Sequence, residues 1–294
     1  MQIKLIANPI AGGNARPHIE QLCRHFSARG NHVDLFLTAK RGDAEAAARS
    51  ARTGGYDRIV AAGGDGTLNE VINGLAPSTI PLAFIPLGTV NVLALEIGLP
   101  FDLLAAAEVA VSGVLIPVSL GQAGDRKFLL MAGIGFDAQV VRAVDSRLKR
   151  RIGRFAYVVA AVKALCHWQP PQLTVTLADG SVESAEGAII GNGRLYGGRF
   201  SLTPHACLTE ASFEVLLLRR SSRLALLRAG LCALRHRLPA AKDGVLLRTS
   251  ALTIAGAAPI QIDGDDFGDL PCDFVTLPAA ITLVFPHVPG GIRV

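Results

Sequence analysis

The sequence predicts an α/β N-terminal domain with a doubly wound parallel sheet, followed by a mainly antiparallel β-sandwich domain. Three observations carry this expectation. Up to about residue 114, short apolar runs alternate with helix-length segments, the rhythm of parallel strands covered by helices on both faces. Beyond it, strand-like runs follow one another with turn signals between them and only two helical patterns. And Ile59 to Val71, IVAAGGDGTLNEV, joins an apolar run to a glycine turn and a helix start, around which the first half is organised. The expected divisions are 1–114, 115–285, and a tail at 286–294 that can return to the first domain.

Gln2 to Ala7 is an apolar first strand, followed by the loop Asn8-Pro9-Ile10-Ala11-Gly12-Gly13-Asn14 and a helix over Pro17 to Arg29 that Gly30 stops. His32 to Thr38 alternates as a strand, and Asp43 can cap an alanine-rich helix to about Arg52. The central strand Ile59 to Ala62 leads into Gly63-Gly64-Asp65-Gly66, with Thr67 as N-cap and Glu70 completing a capping box, and the helix should end near Gly74. Pro81 to Ile85 is a fourth strand, leading into Pro86-Leu87-Gly88-Thr89 and the segment Val90 to Ile97. Loops after Ala7, at Thr38, at Gly63 and at Gly88 then share the carboxyl edge of the sheet, where such folds bind ligands. In the second half LIPVSL, RKFLLMA, QLTVTL, GAIIGN, FEVLLL, VLLRTSALTI, IQI and AITLVF read as strands, with helices near 154–167 and 222–237.

A strand, a glycine turn and a helix N-terminus bring free backbone N–H groups and a positive dipole end to one point, which is a site for an anion and above all for phosphate. Asp65 is an acid inside that site. It fits there when a cation such as Mg²⁺ or a proton transfer is involved. The plainer alternative is a glycine turn with Asp65 solvated at its tip.

The 294 residues suffice for one large or two ordinary domains with a full core. No run reaches the roughly 18 uncharged apolar residues of a membrane span; the longest, Phe155 to Cys166, is broken by Lys163. No signal-peptide pattern precedes the first strand, and Cys23, Cys166, Cys207, Cys232 and Cys272 lack metal spacing, so reduced thiols in the cytoplasm are expected. The net charge of +5 is uneven: Arg142 to Lys163 carries seven basic residues against Asp145 alone, and Arg219 to Lys242 seven with no acid. Local basicity of this kind points to an anionic surface partner.

At GGDGTLNEV and PLGTVNVLA the chain resembles the bacterial soluble lipid kinases of the diacylglycerol kinase family, relatives of sphingosine and ceramide kinases and more distantly of NAD kinases. The likeness continues through Asn8-Pro9, Gly133-Ile134-Gly135-Phe136-Asp137, Gly191-Asn192-Gly193 with Tyr196-Gly197-Gly198, and Asp263-Gly264-Asp265. It implies ATP over Asn8, Thr38, the turn Gly63, Gly64, Asp65, Gly66, Thr67, Leu68, Asn69, Glu70, then Gly88, Thr89 and Asn91. It implies a Mg²⁺-holding loop at Pro204 to Ser212, with Cys207, Glu210 and Ser212 as metal residues, and Asp265 as general base with Asp65 as the second catalytic acid. Glu210 stands where the family usually has Asp, Ala211 where it has Gly, Asp265 where it has Glu, and Val92 where Asp is frequent.

The expectation is an ATP- and Mg²⁺-dependent lipid kinase. Its acceptor hydroxyl would belong to diacylglycerol, phosphatidylglycerol or a sphingoid base, and it would work on the cytoplasmic membrane face. The alternatives are an NAD kinase, against which PLGTVN and GNG…YGG speak, and a non-catalytic nucleotide- or lipid-binding module. Asp263 and Asp265 could instead sit in a solvated turn, and Glu210 could be a surface acid. Asn8, Asn91 and Asn192 could each satisfy their own backbone. Arg147, Lys149, Arg150, Arg151 and Arg154, and the arginines around the leucine stripe Leu224, Leu227, Leu231 and Leu234, suggest docking on anionic lipid. Nucleic acid is not expected, since no aromatic stacking pattern accompanies them. A homodimer stays open.

Overall fold

The computed structural model describes residues 1–144, 155–235 and 243–287. Met1–Leu120 with the chain from Leu277 onward form one compact unit, and Gly121–Thr276 a second. In chain order the first holds β1 (Gln2–Ala7), α1 (Arg16–Ala28), β2 (His32–Leu37), α2 (Asp43–Ala51), β3 (Arg58–Gly63), α3 (Asp65–Leu75), β4 (Ser78–Pro86), α4 (Val92–Glu96), α5 (Leu103–Ser112) and most of β5 (Val114–Ala123). The second holds β6 (Arg126–Phe128), β7 (Met131–Ile134), α6 (Phe136–Ala143), α7 (Phe155–His167), β8 (Leu173–Leu177), β9 (Val182–Ala185), β10 (Gly187–Gly191), β11 (Leu195–Tyr196), β12 (Phe200–Ser201) and β13 (Phe213–Leu218). It continues with α8 (Arg223–Leu234), β14 (Gly244–Thr249), β15 (Ala251–Gly256), β16 (Pro259–Ile262) and β17 (Asp265–Asp269). The last strand, β18 (Cys272–Phe285), starts in the second unit and ends in the first.

In the first unit the strands run β2-β1-β3-β4, all parallel, and the end of β18 joins parallel to β4 through Ile281 and Leu283. Every residue of β3 is buried, which explains its uninterrupted apolar reading. Ile3, Leu5, Ala7, Val60, Ala62, Ala83 and Ile85 form one core with Ile19, Leu22 and Phe26 of α1 and Ala106, Ala107 and Ala110 of α5. Each of its large side chains contributes about 1.5–3 kcal/mol. The helices α2 and α3 pack on one another. The helix α3 ends at Leu75, beside Gly74 as expected, and a Cβ on Gly74 would meet the Glu45 carbonyl oxygen at 2.1 Å, so the bare backbone permits the close crossing. Buried Arg58 donates to the carbonyls of Ala110 and Val111, closing the C-terminal end of α5. Asp43 is not the cap of α2. Gly42 takes that place with φ 89°, and Asp43 accepts instead from the N–H groups of Ala39 and Lys40.

In the second unit β14-β13-β10-β7-β16-β17 form an antiparallel sheet. The strands β9 and β8, then β15 and the first half of β18, form another run of antiparallel pairs. Their inner faces share a core of Ile134, Ile190, Val215, Leu217 and Ile260 with Leu173, Val175, Leu252, Ile254 and Phe274, and Phe128 stacks on Phe213 at 5.7 Å. This is the expected sandwich. Two runs read as single strands are each broken. VLLRTSALTI divides at Ser250, so that β14 pairs with β13 while β15 pairs with β8 and β18. RKFLLMA divides at Leu129-Leu130, where an acid from elsewhere takes the backbone N–H groups. Among the described residues no helix is long and apolar enough to cross a membrane, and all five cysteines are free thiols.

Candidate functional site

In the first unit the glycine loops meet on the carboxyl edge of the parallel sheet. The helix α3 starts at Asp65, three residues earlier than the sequence suggests, because Gly64 in extended conformation acts as N-cap and, being glycine, brings no side chain to the first turn. The anticipated capping box does not form. Thr67 is buried against Gly63 and accepts from Asn8 Nδ2 at 3.4 Å, while Glu70 accepts the Ala44 N–H of α2 at 3.2 Å. Neither the N-cap Gly64 nor a capping box thus caps the first turn of α3, the arrangement in which a helix N-terminus can receive an external anion.

The loop after β4 lies directly on this turn. Leu87 N–H and Gly88 N–H both donate to the Gly63 carbonyl, at 2.8 and 3.1 Å. A Cβ on Gly88 would stand 2.5 Å from Gly64 Cα, and one on Gly12 2.7 Å from the Leu87 carbonyl oxygen. Three glycine-bearing loops are therefore packed backbone to backbone. Asn91, buried and in the left-handed region at φ 56°, closes the last of them: Oδ1 accepts from Gly88 N–H at 3.0 Å and Nδ2 donates to the Gly88 carbonyl at 2.8 Å. Asp65 Oδ1 accepts the Val92 N–H at 2.7 Å, so the acid ties its own turn to the start of α4. Asn8 accepts from Ile10 N–H through Oδ1, and the Thr38 N–H donates to the Ala7 carbonyl, which places both at the same edge. Gly66 and Thr89 are exposed, whereas Leu68 and Asn69 are buried and Asn69 Oδ1 accepts from Asn73. A cavity of about 200 Å³ between the first and last loops is lined by Gly12, Asn14, His18, Pro86 and Leu87.

In the second unit Asp263 has a structural partner set that the sequence did not disclose. Its carboxylate accepts from the N–H groups of Leu129, Leu130 and Met131 at 2.7, 2.9 and 3.0 Å, and this breaks the expected strand there. Gly264 N–H donates to Gln261 Oε1 at 2.8 Å, which leaves Gln261 Nε2 to donate to Asp137 Oδ2 at 2.7 Å. Tyr196 donates to Asp137 Oδ1. Burial pushes the Asp137 carboxyl above the usual carboxylate range, against the pull of those two hydrogen bonds. The Asp263-Gly264 turn that precedes Asp265 is thus held from both sides. Asp137, Tyr196 and Gln261 were not assigned roles from sequence. The available signal was an acid directly after the apolar run MAGIGF.

In the loop Pro204 to Ser212 the expected metal residues Cys207, Glu210 and Ser212 are engaged by other protein groups. Glu210 Oε2 pairs with Arg248 Nη2 at 2.6 Å, the same Nη2 donates to the His205 carbonyl at 3.2 Å, and Thr276 Oγ1 donates to the Ala211 carbonyl at 3.1 Å. Ser212 donates to Glu210 at 3.5 Å, and Cys207, a soft ligand ill-suited to Mg²⁺, contacts Thr209. Among the described residues no group of three or more His, Cys, Asp or Glu is arranged to hold a metal. The residues present do not fit a Mg²⁺ ion in this loop. Arg147, Lys149, Arg150, Arg151 and Arg154 lie outside the described residues.

Residues 2–123 match the diacylglycerol kinase catalytic domain, and residues 131–285 the YegS C-terminal NAD kinase beta sandwich-like domain. Diacylglycerol kinase of Bacillus subtilis (strain 168) is 31% identical over 293 residues, covering 96% of this chain and 96% of that protein. Diacylglycerol kinase of Staphylococcus aureus (strain bovine RF122 / ET3-1) is 29% identical over 299 residues, covering 97% and 92%. The crystal structure of a diacylglycerol kinase from Bacillus anthracis str. Sterne shares the fold, with a TM-score of 0.79 at 24% identity over 97% of this chain and 96% of that one. An α/β unit with glycine loops on its carboxyl edge and a β-sandwich unit define a kinase of the lipid- and NAD-kinase class. Within that class, the chain belongs to the diacylglycerol kinase family of lipid kinases.

Proposed function

We propose that this protein transfers the γ-phosphoryl group of ATP to the hydroxyl of a membrane lipid, the first unit holding the nucleotide and the second the lipid. The observation that carries this reading is the N-terminus of α3, with glycine as its N-cap, framed by Gly63, Gly64 and Gly88 and tied by Asp65 to Val92. Phosphoryl transfer requires positioning and charge neutralisation more than covalent chemistry. Backbone N–H groups at Gly66 and Thr67 face the phosphates, and Asn91 keeps the Gly88 loop in place against them. Mg²⁺, when bound with the nucleotide, supplies the neutralising charge, and Asp65 is the acid suited to hold it there. Asp265 takes the proton of the acceptor hydroxyl, steadied by the Asp263-Gly264 turn.

Incubation with labelled ATP, Mg²⁺ and separate micelles of diacylglycerol, phosphatidylglycerol or a sphingoid base tests this. Label should enter one of these lipids. If none becomes labelled while NAD does, the chain acts as an NAD kinase, and if nothing is labelled, the catalytic reading fails.

A further inference from the structure

The helix α8 turns three of its leucines outward. Leu224, Leu227 and Leu231 are 58%, 53% and 52% exposed, while Ala225 is buried and Ala229 and Cys232 are half-buried. At 3.6 residues per turn the three small residues share one face and the three leucines another. A helix that serves a core does the reverse. Around the same wheel Arg228 and Arg235 border the leucines on one side and Arg223 on the other, all exposed, with exposed Arg219 and Arg220 just before. No acid occurs from Arg219 to Lys242. The base of the helix is held firmly: Ser221 is fully buried, its N–H donates to Glu186 Oε2, and its carbonyl accepts from Trp168 Nε1 at 2.7 Å. It packs next to β12, the partner strand of the Tyr196 hairpin.

We propose that this leucine stripe with its arginine rim is the surface by which the protein docks on an anionic bilayer. The leucines enter the acyl boundary and the arginines meet the headgroup phosphates. The charge pattern selects this occupant. A second copy of the chain would set like arginines against each other, and a nucleic acid would pair the arginines but leave the leucines in water. The exposed Val158, Val159 and Val162 of α7 have no comparable arginine rim among the described residues and are not part of the surface. The inference deepens the lipid-kinase reading by naming its membrane contact, yet binding is measured without ATP and so fails or stands separately.

Sedimentation of the full chain with phosphatidylcholine vesicles, with and without phosphatidylglycerol, is the test. Binding should require phosphatidylglycerol and weaken with salt. Leu224→Ser with Leu227→Ser and Leu231→Ser should weaken it about tenfold or more, and Arg223→Gln with Arg228→Gln roughly thirtyfold, near 1 kcal/mol per arginine. Both variants should keep the wild-type far-ultraviolet circular dichroism and the wild-type kcat on detergent-dispersed lipid. Undiminished vesicle binding by the leucine variant overturns the proposal. So does a wild-type dimer that the serines split while vesicle binding persists, which would assign the stripe to a second copy.

Discussion

Gln261 donates through Nε2 to Oδ2 of Asp137 at 2.7 Å, and it cannot flip, because its Oε1 accepts a backbone N–H from Gly264. This single amide connects a buried acid to the turn that carries Asp265.

The first prediction concerns pH. The folded state keeps the Asp137 proton above the ordinary value of 3.8, where the unfolded chain has lost it, so stability falls as pH rises through that window. Asp137→Asn can accept from Gln261 and donate to Tyr196, imitating the protonated acid. Thermal unfolding followed against pH should show the variant without that decline. Parallel curves for the two proteins would show that Asp137 titrates normally.

Asp65 combines a charge with a structural hydrogen bond to Val92 N–H. Asp65→Asn retains an acceptor oxygen and should fold normally, while kcat falls by roughly a hundredfold or more for want of the charge. Asp65→Ala loses the hydrogen bond as well and should cost about 1 kcal/mol of stability besides. Near-normal turnover in the Asn variant would reduce Asp65 to a loop tie.

Gly88→Ala places a Cβ 2.5 Å from Gly64 Cα and 2.7 Å from Asn91 Oδ1. Backbone on one side leaves little room to yield, so a cost of about 1–3 kcal/mol is expected, with loss of ATP affinity as the loops part. Gly66→Ala meets nothing within 4 Å and should fold as the wild type. An unchanged melting temperature for Gly88→Ala would mean that the two loops are not locked together.

Asp263 and Asp265 should separate cleanly. Asp263→Ala strands the N–H groups of Leu129, Leu130 and Met131 and should destabilise by about 3 kcal/mol or more. Asp265→Asn should lower kcat with little change in ATP affinity, and Asp265→Glu should stay active. If the Asn variant keeps most of its kcat, the general base lies elsewhere.

The loop around Glu210 is predicted to be indifferent to metal. Without nucleotide, adding Mg²⁺ should leave the melting temperature unmoved, since Arg248 already occupies Glu210 and His205. Arg248→Met should cost less than about 1 kcal/mol, because the pair is half exposed. A rise of several degrees with Mg²⁺ that Glu210→Gln abolishes would show that the ion displaces the arginine.

Much of this architecture was legible in the amino-acid sequence because its causes are local. The alternation of buried β3 with glycine turn and helix needs only neighbours to specify it, and so the parallel sheet, the loops on its carboxyl edge and the antiparallel second half all follow from period and turn chemistry. Which group satisfies which was decided only by tertiary structure. Glu70 serves Ala44 rather than its own helix, Gly74 also makes room for the Glu45 carbonyl of α2, and Asp263 reaches N–H groups more than a hundred residues away in the chain. Asp137 meets Gln261 across 124 positions. The physical reason is that a buried polar group must find a partner wherever the fold brings one within reach, and no spacing along the chain records that distance.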